Sequence, residues 1–177
     1  MKILVASDLH GGETTCRMLL DRFREEKAEK LWLLGDILYH GPRNDLPDGY
    51  RPKGVISLLN PHKDIIEAVK GNCDSEVDQT VLDFDVSTTE KVFSVNGKRV
   101  LLTHGHHFSP DQPPEESFDI VFFGHTHIPF EKRIGETVFV NPGSVTLPKN
   151  GSPKSYLLFD ENGITRKDLE GNPFSLR

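Results

Sequence analysis

Seven side chains of this sequence could ligate metal, and they recur in a single register. Asp8 and His10 follow the apolar run Ile3-Leu4-Val5-Ala6, and Asp36 follows Leu31-Trp32-Leu33-Leu34. Asn72, with Cys73 and Asp74 behind it, follows Ile65-Ile66-Glu67-Ala68-Val69. His104 follows Val100-Leu101-Leu102, and His125 and His127 follow Ile120-Val121-Phe122-Phe123. A sixth run, Thr137-Val138-Phe139-Val140, ends in Asn141-Pro142-Gly143-Ser144. A lone histidine at a strand end is ordinarily a hydrogen-bonded loop residue, and an aspartate before a turn is commonly a cap. Repetition after one apolar run after another points instead to one polar cluster assembled from distant segments.

Seven nitrogen and oxygen ligands are too many for one transition metal and suit two. Two ions about 3.5–4 Å apart are a standard arrangement for hydrolysing phosphoryl groups. Asp36, alone at its strand end, is the candidate to bridge them. The set needs no thiolate, and its mix of carboxylate, amide and imidazole favours Mn or Fe over a structural zinc site.

Short apolar runs bounded by glycine and polar turn residues read as buried strands. Ligands at their carboxyl ends lie where open α/β sheets place their sites. Between the first two runs, Cys16, Leu19, Leu20 and Phe23 fall on one stripe of a helix that ends near Lys27, with Thr14 or Thr15 as its cap. Val55, Leu58 and Leu59 mark a second, short helix. Strand, helix, strand, helix, strand implies parallel βαβ units. The second half changes character: Asn96-Gly97 is a strong hairpin signal, and Gly135-Glu136 and Glu161-Asn162-Gly163 suggest two more. Ser109 to Ser117 reads as a surface loop or a single helical turn. Together these imply an α/β fold of two mixed sheets packed face to face with helices outside.

The 177 residues suffice for one substantial core, and no repeat or linker divides them, so a single domain spanning 1–177 is expected. A formal net charge of −6 argues against a stable nucleic-acid complex, which needs a basic surface. No apolar run is long enough for a signal peptide or membrane span. Cys16 and Cys73 give no disulfide framework, so a reduced, cytoplasmic setting is expected.

The order Asp-x-His, Gly-Asp, Gly-Asn-x-Asp, His, Gly-His-x-His resembles the calcineurin-like metallophosphoesterases over nearly the whole chain. The stretches from Gly35 to Asn44 and from Gly71 to Gln79, and Asn141-Pro142-Gly143-Ser144, are similar to those of the small bacterial YfcE-type phosphodiesterases. The resemblance implies a four-layer αββα sandwich. It implies one metal on Asp8, His10, Asp36 and His127 and another on Asp36, Asn72, His104 and His125. Manganese is the metal implied for this subgroup, with iron, zinc and nickel as alternatives, and a homodimer or tetramer is implied for the assembly. Two positions depart from the wider superfamily. Cys73 stands where a histidine that protonates the leaving oxygen is expected, and Tyr39 replaces the second aspartate of the Gly-Asp-x-x-Asp block.

The activity expected is hydrolysis of a small phosphodiester by attack of a metal-bridging hydroxide. A phosphomonoesterase and a non-catalytic scaffold of the same fold are the alternatives. A thiol, with a pKa of about 8.5, is a poorer acid than an imidazolium, so good leaving groups should be favoured. Asp74 is expected to orient Cys73 or a nearby ligand. His40 and Arg43, on the loop after Asp36, are expected to bind substrate, Arg43 through a phosphate oxygen. His106 and His107 are expected to stand behind or beside the ligands, and Pro142-Gly143-Ser144 could orient a ligating imidazole.

Overall fold

Strand β1 (Ile3–Ala6) is buried on both faces, and the rest of the molecule follows from what covers each face. The computed structural model describes residues 1–176. Helix α1 (Glu13–Glu25), β2 (Lys30–Leu33), α2 (Pro52–Leu59), a 3-10 segment (Asn60–Ile65) and β3 (Ile66–Ala68) complete the first half. β1 pairs in parallel with β2, opposing Val5 to Trp32, and β2 pairs in parallel with β3. A short helix, α3 (Asp78–Val81), leads into β4 (Glu90–Val95), β5 (Lys98–Thr103), β6 (Ile120–Phe122), β7 (Phe130–Ile134) and β8 (Thr137–Asn141). The antiparallel pair β9 (Ser155–Asp160) and β10 (Gly163–Asp168) returns to the first sheet beside β1. The result is two mixed five-stranded sheets, ordered β10-β9-β1-β2-β3 and β4-β5-β6-β8-β7.

Alternation along each strand sorts the core into layers. Leu4, Ala6, Leu31 and Leu33 face Cys16, Leu19 and Leu20 of α1 and Val55 and Leu59 of α2. Ile3, Val5, Trp32 and Leu34 face Val100, Leu102, Phe122 and Val140 of the second sheet. Trp32 stacks on Phe93 at 5.0 Å between ring centroids and meets Phe122 edge-on at 6.2 Å, joining the sheets. The expected hairpins form at Asn96-Gly97, Gly135-Glu136 and Glu161 to Gly163. At the first, Asn96 and Gly97 both take positive φ, 52° and 71°, as a primed turn requires.

The expected α/β fold of two mixed sheets is present, and it differs from expectation in two details. The outer face of the second sheet carries no helix among the described residues: Leu101, Val121, Phe123 and Phe139 are roofed by Phe108 and Phe118 from the loop between β5 and β6. That fourth layer is a loop because Ser109 to Ser117, with three prolines, cannot sustain a helix. Nor does Thr14 or Thr15 cap α1. Gly12 occupies that place without a side-chain bond, and Thr15 Oγ1 turns to the Gly12 carbonyl and to Thr146 Oγ1, 2.6 Å away. The helix start lies against the 144–146 turn, where a Cβ on Gly12 would come within 2.7 Å of Thr146.

Candidate metal centre

At the carboxyl ends of β1, β2, β3, β5 and β6 the chain turns sharply, and the turns carry the candidate ligands. Among the described residues, eight other than glycine have positive φ, and five of them are Asp8, His10, Asp36, His125 and His127, between 46° and 69°. Each such conformation costs on the order of 1 kcal/mol or more, and such strain clusters at functional sites. Tertiary bonds hold it in place. His10 N–H donates to the Asp36 carbonyl at 2.9 Å, Gly124 N–H to the His104 carbonyl at 2.7 Å, and His125 N–H to Asp8 Oδ2 at 3.0 Å. Ser7 Oγ also donates to Asp8 Oδ2, at 2.7 Å.

Three imidazoles are aimed by the same device. His10 Nδ1 donates to the Tyr39 carbonyl, His104 Nδ1 to the Leu34 carbonyl and His127 Nδ1 to the Leu147 carbonyl, each at 2.7 Å. In the neutral ring this leaves Nε2 as a lone pair, and all three point to one centre. His10 Nε2 and His127 Nε2 stand 3.1 Å apart. Asp8 Oδ1 lies 3.2 Å from His127 Nε2 and 3.5 Å from His10 Nε2, fully buried and without a hydrogen-bond partner. Asp36 Oδ2 sits between His104 Nε2 at 3.3 Å and His10 Nε2 at 3.6 Å. Asn72 Oδ1 is 3.0 Å from His104 Nε2.

Facing lone pairs and an orphaned buried carboxylate oxygen are costly unless a cation lies among them. The donor set fits one. Asp8, His10 and His127 form one group whose ligand atoms lie within 4.8 Å of one another, and Asp8, Asp36 and His104 form another. His125 joins neither; its ring stands edge-on to His104, 5.2 Å between centroids.

Without a cation, charge is shared among the ligands. Burial pushes the His104 imidazole down, but the Asp36 and Asp8 carboxylates outweigh it and raise it to about 9. His10 is raised in the same way, chiefly against burial and by Asp8. Burial pushes Asp8 up, but the neighbouring imidazoles hold its carboxyl well below the usual range, and His104 does the same for Asp36. His106 lies against His104, His107 and His125, and burial with the neighbouring imidazoles lowers it to about 4.

Asp74 is buried and accepts the backbone N–H groups of Asp36 (2.7 Å), Ile37 (2.8 Å) and Gly71 (2.7 Å). Of the two expected roles, its bonds support positioning of a ligand, Asp36, rather than of the Cys73 side chain. Gly71 is required there: a Cβ would fall 2.1 Å from Asp36 Oδ1. Cys73 N–H donates to Asp36 Oδ1 at 2.8 Å, and its thiol is pushed up to about 12, first by burial and then by Asp36. Ser144 acts at one remove, accepting the Leu147 N–H at 2.8 Å while Leu147 holds His127.

Five of the candidate ligands, His10, Asp36, Asn72, His125 and His127, line a cleft of about 610 Å³, a volume suited to a small ligand. Arg43 and Cys73 line it. His40 does not: its ring packs edge-on against Tyr39 and Tyr50, at 4.7 and 5.3 Å. Tyr39, Thr126 and Lys149 also line the cleft, a role the reading of the sequence assigns to none of them. Tyr39 could have been found from its distance to Asp36, but nothing in sequence marks Lys149, which arrives through the return from β8.

The chain belongs to the calcineurin-like phosphoesterase superfamily, whose domain model matches residues 1–163. It is accordingly a phosphoesterase, a hydrolase that binds divalent metal. It is 43% identical over 166 residues to phosphodiesterase YfcE of Escherichia coli K12, covering 93% of this chain and 90% of that one. The solved structure of the E. coli phosphoesterase YfcE superposes with a TM-score of 0.95 at 40% identity, covering 99% and 97% of the two chains. The zinc-complexed Vps29 of Entamoeba histolytica, at 20% identity, covers 94% of this chain and 91% of its own with a TM-score of 0.60, and shares the fold. Among the described residues no helix is long and apolar enough to cross a membrane.

Proposed function

We propose that the protein hydrolyses a small phosphodiester using two divalent ions, manganese being the metal its oxygen and nitrogen donors suit. One ion would be held by Asp8, His10, Asp36 and His127 and the other by Asp36, Asn72, His104 and His125. The observation that carries this is the set of three Nδ1-to-carbonyl bonds that aim Nε2 lone pairs at a buried carboxylate oxygen with no partner. Bound divalent ions supply an activated water and neutralise phosphoryl oxygens. Everything else falls to the chain. Asp74 fixes the Asp36 turn, the three carbonyls fix the imidazoles, and Arg43 offers two parallel N–H donors to a phosphate oxygen. Cys73, a thiol at any physiological pH, lies beside His10 and Asp36, their polar atoms within 4.8 Å of one another, and as a weak acid it suits leaving groups that depart as anions. The YfcE relative carries the name phosphodiesterase, which supports a diester. Both cysteines are free, in keeping with work in a reducing, cytoplasmic setting.

The test compares bis(4-nitrophenyl) phosphate with 4-nitrophenyl phosphate, in Mn²⁺ and then in excess chelator. Release of nitrophenolate from the diester, faster than from the monoester and abolished by chelation, is the expected result. Chelator-insensitive turnover would refute the mechanism, and a monoester preference would refute the substrate class.

A further inference from the structure

We propose that Lys149 selects substrates that carry a second anionic group, such as a second phosphate, beyond the phosphoryl group that is cleaved. This rests on the phosphodiesterase reading above and deepens it.

The cleft has an unusual charge balance for this protein. The chain holds 27 acidic residues against 21 basic ones, yet among the described residues the only carboxylate lining the cleft is that of Asp36, and the lining cations are Arg43 and Lys149. Neither makes an ion pair among the described residues, whereas Arg17, Arg51, Lys91 and Arg99, elsewhere on the surface, all do. A scissile diester bears a single negative charge, which divalent ions at the centre already balance. With Arg43 given to that group, a second cation at the rim, Lys149, exceeds what it needs and matches a substrate with more negative charge.

Both cations are tied to the ligand framework. Lys149 N–H donates to the His127 carbonyl at 3.2 Å, and its own carbonyl accepts Ser152 Oγ and Ser152 N–H in the turn that follows. Arg43 sits in a turn closed by Asn44 N–H to the Gly41 carbonyl and Asn44 Nδ2 to the His40 carbonyl. That turn rests on Cys73, whose Sγ lies 3.0 Å from where a Gly41 Cβ would be. One cation thus stands on the His127 side of the centre and the other on the Cys73 side. A phosphate reaching past the centre in the His127 direction meets Lys149.

The test uses a matched pair: thymidine 5′-(4-nitrophenyl phosphate) and the same compound with a 3′-phosphate. Both release nitrophenolate from the same diester, so their kcat/KM ratio isolates the second phosphate. An exposed charge pair is worth up to about 1 kcal/mol, or roughly fivefold. The 3′-phosphorylated compound is expected to be preferred severalfold, up to about fivefold. In Lys149→Gln the ratio should fall toward one, with Lys149→Arg restoring it, and the preference should weaken with added salt. Equal kcat/KM values in the parent enzyme, or a ratio unmoved by Lys149→Gln, would overturn this inference alone. Failure of metal-dependent cleavage of either compound would instead overturn the phosphodiesterase reading.

Discussion

Protons and metal compete for His104, and the size of that competition follows from its surroundings. In the metal-free protein the imidazole is raised to about 9, from an ordinary value of 6.5, because Asp36 Oδ2 lies 3.3 Å from its Nε2. A raised histidine stabilises the fold fully below its unfolded pKa, and that stabilisation is lost as pH climbs through the folded one. At about 1.4 kcal/mol per pKa unit, the shift corresponds to roughly 3 kcal/mol at most. For a domain of this size that is on the order of 10 °C in Tm. The chelated protein should therefore lose thermal stability between pH 6.5 and 9. The metal-loaded protein should not, because a ligating imidazole carries no proton on Nε2. The same linkage means that metal must displace the proton: at pH 7 its affinity is reduced about a hundredfold, and it recovers about tenfold per pH unit up to about 9. Differential scanning fluorimetry with and without Mn²⁺ reads the first effect. Titration calorimetry in buffers of different ionisation enthalpy reads the second, as at least one proton released per chain at pH 7. Parallel melting curves in both forms, or metal binding with no proton release, would refute the reasoning.

Three other substitutions probe separate parts of the centre. Asp74→Asn leaves an NH₂ facing one of three backbone N–H donors, and losing that charge-assisted bond should cost about 2 kcal/mol in urea unfolding. Turnover should fall as well, with an unchanged dependence on leaving-group pKa; a changed dependence would make Asp74 part of the proton path rather than a positioning residue. Cys73→His replaces a thiol held near 12 by an imidazole acid and should extend activity to esters with poorer leaving groups, measured as a shallower plot of log kcat against leaving-group pKa. An unaltered slope would remove Cys73 from leaving-group chemistry. Phe122→Ala empties a fully buried position between the sheets and should cost about 3–5 kcal/mol while leaving the metal stoichiometry of the folded protein intact, as equilibrium unfolding and metal analysis would show.

Much of this was legible in the residues because the candidate ligands sit at the ends of strands that are apolar on both faces. Runs such as Ile3 to Ala6 or Ile120 to Phe122 cannot be solvent-exposed, so the polar residues that stop them must lie at a sheet edge. The hairpins were legible because Asn96-Gly97 supplies two positive φ angles cheaply. What the sequence hid were features made by tertiary contact. Asp74 looks like a neighbour of Cys73 in the chain, but its three bonds reach the Asp36 turn and Gly71. His40 follows Asp36 closely, yet its ring packs edge-on against Tyr39 and Tyr50 and does not line the cleft. The roof of Phe108 and Phe118 over the second sheet carries no helical period to announce it. Lys149 enters the cleft only because the return from β8 is pinned to His127.

The central claim is that these side chains gather two cations about Asp36. Anomalous diffraction from Mn²⁺-soaked crystals tests it most directly. Two peaks about 3.5–4 Å apart, one against His10 and His127 and the other against His104 and Asn72, with Asp36 between them, are predicted. A single peak, or manganese bound away from Asp36, would contradict the account.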